Sequence, residues 1–109
     1  ASIEAVLCSL GEGLDAVKAQ GVAPQRLMLI GGSAQNPAVT AIAGTLFEHP
    51  LEVPEPAEYV ALGASVQAAW SLTGDRPMWP VVSNPVGLCD YHPEIRELYA
   101  QYRSKAYAE

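Results

Sequence analysis

The residues best placed to do chemistry lie in one stretch, LMLIGGSAQNP, at residues 27–37. Its first four residues are all apolar, which predicts a short strand buried on both faces. Gly31 and Gly32 follow, and because glycine has no Cβ the backbone can take a positive φ and be closely approached by another molecule. Asn36 is a good helix N-cap and Pro37 a good first helical residue. The stretch therefore predicts a strand, a glycine turn and a helix.

This arrangement is typical of a ligand site built from backbone groups. In open α/β sheets, ligands bind beyond the carboxyl ends of the strands, where a helix N-terminus offers free N–H groups. The stretch has neither the Lys-Ser/Thr pair of a Walker phosphate loop nor the Gly-x-Gly-x-x-Gly pattern of a dinucleotide site. Taken alone, it is equally compatible with a tight strand-to-helix turn that binds no ligand.

The rest of the sequence offers no set of side chains that could carry catalysis. No Ser/His/Asp set, no close carboxylate pair and no His/Cys cluster can be assembled. Cys8 and Cys89 have no metal-ligand or redox spacing, and we expect buried thiols. His49 is expected at the surface and His92 in a structural role. We assign no catalytic and no metal-ligating residue, and expect a binding unit whose chemistry lies elsewhere.

Hydrophobic periodicity predicts an α/β fold with a short sheet. Helices are predicted near 2–20, 37–48, 58–73 and 93–106, and strands near 26–31 and 51–53. The helix at 58–73 is apolar nearly all round, which predicts that it is buried. Pro54 and Pro56 favour an edge position for the second strand, since prolines are poorly tolerated in central strands. Residues 75–92 are predicted to be irregular because of their prolines.

Composition limits the classes of partner. The chain has 109 residues, enough for a single domain, and a net charge of −6 with only six scattered basic residues. Nucleic acid is excluded as a partner, because binding to its phosphates needs a basic surface. No signal peptide or membrane-spanning apolar run is found, which predicts a cytoplasmic protein with no membrane partner. The chain begins within a helical pattern and without Met, so we expect a piece of a longer polypeptide.

Two motifs in this order resemble the C-terminal domain of the FGGY family of carbohydrate kinases. The first is LIGGSAQN at residues 29–36 and the second is EYVALGA at residues 58–64. The closing stretch YHPEIRELYAQY, residues 91–102, also resembles the terminal helix of this family, and the xylulokinases are the group most similar overall. The resemblance covers essentially the whole chain.

The resemblance implies an actin-like, ribonuclease-H-like ATPase domain that forms one side of a nucleotide cleft. By position, Gly31, Gly32 and Ser33 would line the nucleoside of ATP or ADP, and Asn36 would contact the adenine. Residues 58–64 would form the helix behind that pocket, with its glycine allowing close packing. The sugar would bind to an N-terminal domain absent from this chain, and the ligands of Mg²⁺ would also lie outside it.

The departure from the family is one of length. The chain corresponds to about the last fifth to quarter of a family member, without the catalytic Asp and the phosphate loops. The resemblance thus implies a parent that converts ATP and D-xylulose to ADP and D-xylulose 5-phosphate, and a fragment inactive by itself. The alternatives are a non-enzymatic α/β interaction module, or a family member acting on glycerol, gluconate, ribulose or another polyol. Exposed apolar surface would favour a dimer.

Overall fold

The computed structural model describes residues 1–86 and 90–108, which form a mixed α/β fold. In chain order the elements are α1 (Ser2–Ala19), β1 (Leu27–Met28), a 3-10 turn (Gly32–Gln35), α2 (Pro37–Leu46), β2 (Leu51–Pro54), α3 (Tyr59–Thr73), β3 (Ser83–Pro85) and α4 (Pro93–Tyr107). The predicted α/β class is confirmed, and each predicted helix is present with ends displaced by no more than two residues. Residues 87–89 lie outside the described part of the chain, and with them the expected buried thiol of Cys89.

The three strands form one sheet in the order β1-β2-β3. β1 and β2 are parallel, with Leu27 opposite Leu51. β2 and β3 are antiparallel, with Val53 opposite Asn84. Because parallel neighbours need a crossover connection, α2 has to pass over the sheet between β1 and β2. The carboxyl ends of β1 and β2 therefore meet at the same edge of the sheet.

β2 is the central strand, so the prediction of an edge position is wrong. Its second neighbour, β3, lies inside the segment 75–92 that was predicted to be irregular. The prolines do not prevent this pairing, because the hydrogen bonds come from residues beside them. The N–H of Val86 donates to the carbonyl of Leu51 at 2.8 Å, and that of Glu55 to the carbonyl of Val82 at 2.9 Å.

β1 is shorter and more exposed than its sequence predicts. Regular pairing is confined to two residues, although the N–H of Leu29 still donates to the carbonyl of Glu52 at 2.9 Å. Met28 is 38% exposed and Ile30 is 52% exposed. The prediction of a strand buried on both faces is wrong for this chain, because no element among the described residues covers these two side chains.

The core lies between α1, α2 and the start of β2. It is a cluster of apolar side chains, namely Leu7, Cys8, Ala43, Leu46, Phe47 and Leu51. Ile95 and Tyr99 of α4 pack against this cluster from the far side. Burial raises the pKa of the Cys8 thiol, which confirms the prediction of a buried thiol at this position.

α3 is exposed, so the prediction of a buried helix is wrong. None of its residues is buried, and Val60 and Leu72 are 87% and 88% exposed. A Cβ added at Gly63 would meet no atom within 4 Å, so the close packing expected there is not made within the described residues. The apolar composition of α3 indicated burial, but it could not indicate which element would cover the helix. Association of copies through this surface stays a prediction.

α4 is held against α1 by ion pairs. Arg96 pairs with Asp15, and Arg103 with Glu12 at 2.9 Å. The guanidinium of Arg96 lies directly over Gly11, where an added Cβ would be 2.9 Å from its Cζ. Glycine at this position therefore lets the long arginine side chain lie against the helix backbone.

None of the helices that the structure describes has the length and apolar character needed to span a membrane.

His92 has the structural role expected for it, at the beginning of α4. Its backbone N–H donates to the carbonyl of Thr45 at 2.8 Å, which ties α4 to the end of α2. Its ring nitrogens lie 2.8 Å from Glu94 and 3.1 Å from Asp90. Hydrogen bonding to Glu94, and then to Asp90, raises the pKa of His92. The protonated ring therefore bridges two carboxylates.

We expect Leu46→Ala to destabilise the fold and Leu72→Ala to leave its stability almost unchanged. Leu46 is 0% exposed, and emptying such a site costs about 2–5 kcal/mol of unfolding free energy. Leu72→Ala removes the same atoms from an exposed surface, where the loss of unfolding free energy should be within about 0.5 kcal/mol. Urea unfolding followed by circular dichroism measures both. Equal losses for the two variants would contradict the assignment of the core.

Stability should also depend on pH through His92. Because the folded pKa lies above the ordinary value of about 6.5, the stabilisation is complete below that value. It is lost as pH rises through the raised pKa. In an NMR titration of the ring, Glu94→Gln should lower the pKa of His92, whereas Glu97→Gln on the same helix should not. An unchanged pKa in Glu94→Gln, or stability that increases with pH over this window, would refute the bridge.

Candidate functional site

The turn between β1 and α2 has a backbone conformation that requires glycine at its first position. Gly31 has φ 107° and ψ 170°, a region that side-chain-bearing residues rarely adopt. The chain then forms the 3-10 turn, in which the N–H of Ala34 donates to the carbonyl of Gly31 at 3.1 Å. Ala34 is buried and anchors the turn. The predicted glycine turn is therefore a fixed structure with its backbone facing outward.

Asn36 begins α2 in the way that the sequence predicts. Its Oδ1 accepts a hydrogen bond from the N–H of Ala38 at 2.9 Å, and Pro37 occupies the first turn of the helix. This satisfies one of the free N–H groups at the helix N-terminus. The carboxamide oxygen is thus engaged within the protein, which leaves the amino group of Asn36 for any contact with a ligand.

The glycine turn separates two cavities. The first has a volume of about 370 Å³ and lies between the glycine turn, the end of β2 and the start of α3. The second, of about 410 Å³, lies between the glycine turn and α1 and is lined mainly by apolar side chains. Gly31 and Gly32 line both cavities. A Cβ added at either glycine would meet no protein atom within 4 Å, so it would project into open space.

The four predicted site residues do not share one cavity. Gly31 and Gly32 line the first cavity, Ser33 lines only the second, and Asn36 lines neither of the two. The first cavity has the position expected for a ligand site, since it lies beyond the carboxyl ends of two parallel strands. Its volume falls within the range of small-molecule sites, about 300–1,000 Å³.

Several residues that line the first cavity were missed by the sequence analysis. They are Leu29, Ile30, Gln35, Pro54, Pro56, Ala57 and Tyr59. The signal that could have found them is the parallel order of the two strands, which places the residues after β2 beside those after β1. Glu58 was expected in a helix behind the pocket, but it lines the cavity itself.

The electrostatic character of the first cavity depends on Glu58, which is the one charged residue among the described residues that line it. The neighbouring Tyr59 is held in place, because its hydroxyl donates to the backbone carbonyl of Glu55. Within the described residues, no group of three or more His, Cys, Asp or Glu side chains is arranged to hold a metal ion. The cavity is suited to an uncharged, flat part of a ligand that contacts glycine backbone on one side.

Comparison with known proteins identifies the family of the chain. Residues 1–72 match the family model for the C-terminal domain of the FGGY family of carbohydrate kinases. The chain belongs to this family. The matched residues include the glycine turn and the segment 58–64, the two motifs that carry the resemblance. The family assignment is therefore confirmed, and the sheet and helices are those of an actin-like ATPase fold.

Comparison with individual relatives shows how much of their length the chain covers. It is 37% identical over 92 residues to the xylulose kinase of Streptomyces rubiginosus, which covers 79% of this chain and 19% of that protein. It is 40% identical over 65 residues to the xylulose kinase of Streptomyces coelicolor, covering 55% of this chain and 14% of that protein. The crystal structure of xylulose kinase from Bifidobacterium adolescentis superposes with a TM-score of 0.75 at 33% identity, covering 93% of this chain and 20% of that one. The chain thus spans at most a fifth of these relatives.

The capping role of Asn36 can be tested by substitution. Asn36→Ala should lower the free energy of unfolding by about 1 kcal/mol, because it removes the cap of α2. Asn36→Asp keeps an oxygen at the same position and should stay close to the unsubstituted chain. Urea unfolding of the three proteins measures the difference. If Asn36→Ala is as stable as Asn36→Asp, the side chain contributes nothing as a cap.

Proposed function

We propose that this chain is the nucleotide-binding portion of the C-terminal domain of an ATP-dependent sugar kinase. The observation that carries the proposal is the position of Gly31 and Gly32 at the first cavity. The glycine turn of an FGGY domain here lies at the carboxyl ends of parallel strands, next to a cavity of suitable size. Glycine backbone without side chains admits the flat face of an adenine ring, and the first cavity offers that space.

In this proposal the residues of the chain bind and orient the nucleoside, and carry out no chemical step. Gly31 and Gly32 form the surface against which the base and ribose lie, and Asn36 holds the turn by capping α2. Ser33 lines the second cavity, so any contact that it makes with a ligand would lie on the other side of the glycine turn. Phosphoryl transfer consists mostly of positioning and charge stabilisation. The groups that would position the γ-phosphate are absent from the sequence, and we infer that the chain alone is inactive.

The proposed reaction of the whole kinase is the transfer of a phosphoryl group from ATP to D-xylulose, giving ADP and D-xylulose 5-phosphate. The choice of sugar rests on the names of the relatives, each of which is a xylulose kinase. The sugar and the Mg²⁺ would be bound by residues outside this chain, and Mg²⁺ would neutralise charge on the transferred phosphoryl group. Glycerol, gluconate and ribulose are the competing substrates within the same family.

The second candidate, a non-enzymatic interaction module, is favoured by one observation. α3 has no buried residue and presents large apolar side chains, as an interaction surface would. It does not explain why the glycine turn lies beside a cavity.

An NMR titration of the ¹⁵N-labelled chain with ADP tests the nucleotide site. ADP should shift the amide signals of Gly31 and Gly32. Gly32→Val should weaken binding by at least about tenfold, equivalent to about 1.4 kcal/mol, because its side chain would occupy the cavity. Gly13→Val is the matched control, since Gly13 is exposed on α1 and also has no atom within 4 Å of an added Cβ.

Two outcomes would overturn the proposed site. The first is the absence of any shift at Gly31 and Gly32 at millimolar ADP. The second is equal binding by Gly32→Val and Gly13→Val, which would place the nucleotide away from the glycine turn. The interaction module would be favoured if the unsubstituted chain binds no ADP and Gly32→Val keeps the association properties of the unsubstituted chain.

A further inference from the structure

We propose that Glu58 selects the base of the bound nucleotide by accepting a hydrogen bond from the exocyclic amino group of adenine. This inference rests on the proposed function and adds a specificity-determining residue to it. Glu58 was expected only as part of a helix behind the pocket. In the structure it lines the first cavity, and the other described residues that line this cavity are uncharged.

The carboxylate of Glu58 is unengaged within the part of the chain that the structure describes. Glu58 is the residue immediately before α3, but its side chain makes no capping hydrogen bond to the helix. Its backbone carbonyl accepts from the N–H of Leu62 at 2.9 Å, so the residue is fixed through its main chain. Among the residues that the structure describes, no hydrogen bond or ion pair engages its carboxylate. Both oxygens are therefore available to a ligand.

The loop that carries Glu58 is held in one shape before any ligand arrives. The hydroxyl of Tyr59 donates to the carbonyl of Glu55, and the N–H of Tyr59 donates to the carbonyl of Ala57 at 3.1 Å. Pro54 and Pro56 restrict the backbone further, because their rings fix φ. The N–H of Glu55 donates to the carbonyl of Val82, immediately before β3, at 2.9 Å. A preorganised acceptor loses less entropy on binding than a mobile one.

Charge determines which end of a nucleotide can lie beside Glu58. The phosphates are negatively charged and none of the described residues that line the cavity is cationic, so a carboxylate there repels them. The nucleoside end must therefore be nearest to Glu58. The flat base has its space between the glycine turn and the start of α3, which places the edge of the ring toward the beginning of that helix.

A carboxylate distinguishes adenine from bases that carry a carbonyl group at the same ring position. An ionised carboxylate only accepts hydrogen bonds, and the amino group of adenine donates them. Hypoxanthine presents an oxygen instead, so two acceptors would face each other and both would be left unpaired. Gln35 also lines the cavity, but a carboxamide both donates and accepts and cannot discriminate in this way.

The test compares binding of ADP with that of IDP, in which an oxygen replaces the amino group and the adjacent N1 carries a proton, by NMR titration of the 109-residue chain. The unsubstituted chain should bind ADP about tenfold more tightly than IDP, as followed by the amide shifts of Gly31 and Gly32. Glu58→Gln should bring the ratio close to one, because an amide can accept from the amino group or donate to the carbonyl. Glu97→Gln removes the same charge from α4 and should keep the ratio of the unsubstituted chain.

Each alternative outcome has a definite meaning. Equal binding of ADP and IDP by the unsubstituted chain, or an unchanged ratio in Glu58→Gln, overturns the role of Glu58 while the nucleotide site stands. If Glu58→Gln instead abolishes a preference for ADP over 2′-deoxy-ADP and leaves the ADP/IDP ratio unchanged, the carboxylate contacts the ribose and base selection is wrong. Absence of ADP shifts in the unsubstituted chain overturns the proposed function itself. The amide spectrum of Glu58→Gln shows directly whether the variant is folded.

Discussion

The candidate site depends on the parallel pairing of β1 with β2. The register that places Leu27 opposite Leu51 brings the residues after both strands to one edge of the sheet. Without it, the glycine turn and the beginning of α3 would have no reason to be neighbours, since they are separated by α2 in the sequence. Side-chain hydrogen bonds reinforce the register across the sheet. They join Arg26, just before β1, to Glu52 of β2, and Ser83 of β3 to the same carboxylate, with Ser83 Oγ donating to Glu52 Oε2 at 2.8 Å. The hydrogen bond from Arg26 lowers the pKa of Glu52, so the carboxylate stays ionised in this network.

The core and the candidate site are separate parts of the same fold. The buried cluster lies under α1, α2 and α4, whereas the glycines and Glu58 are exposed at the edge of the sheet. Ala34 joins the two, because it is buried within the 3-10 turn that follows the glycines. Such a division lets the turn present its backbone to a ligand while its position is set by packing elsewhere. It also means that substitutions at the site can change binding with little effect on stability.

The parts of the structure that local chemistry determines could be predicted from the sequence. Asn36 and Pro37 are preferred at a helix start for reasons internal to that helix, and they begin α2 as predicted. β3 could not be predicted, because Ser83–Pro85 has no alternating pattern and becomes a strand only by pairing with β2. The exposure of α3 was missed for a related reason, since apolar composition shows a tendency to be covered but names no partner. Glu58 was recognised as part of a motif, yet its place in the cavity wall follows from the sheet order alone.

The exposed apolar side chains of β1 and α3 bear on how strongly this chain can bind a nucleotide. Small-molecule sites bury most of their ligand's surface. Among the described residues, those that line the first cavity come from the end of β1, the glycine turn, the end of β2 and the start of α3. The kinases that it resembles are at least about five times longer than the matched region. In the proposed kinase, a second wall supplied by the rest of the protein would bury the other face of the nucleotide and add to the affinity. The contribution of this chain would then be orientation, because fixed glycine backbone and a preorganised carboxylate determine how the base lies even where they supply only part of the binding free energy.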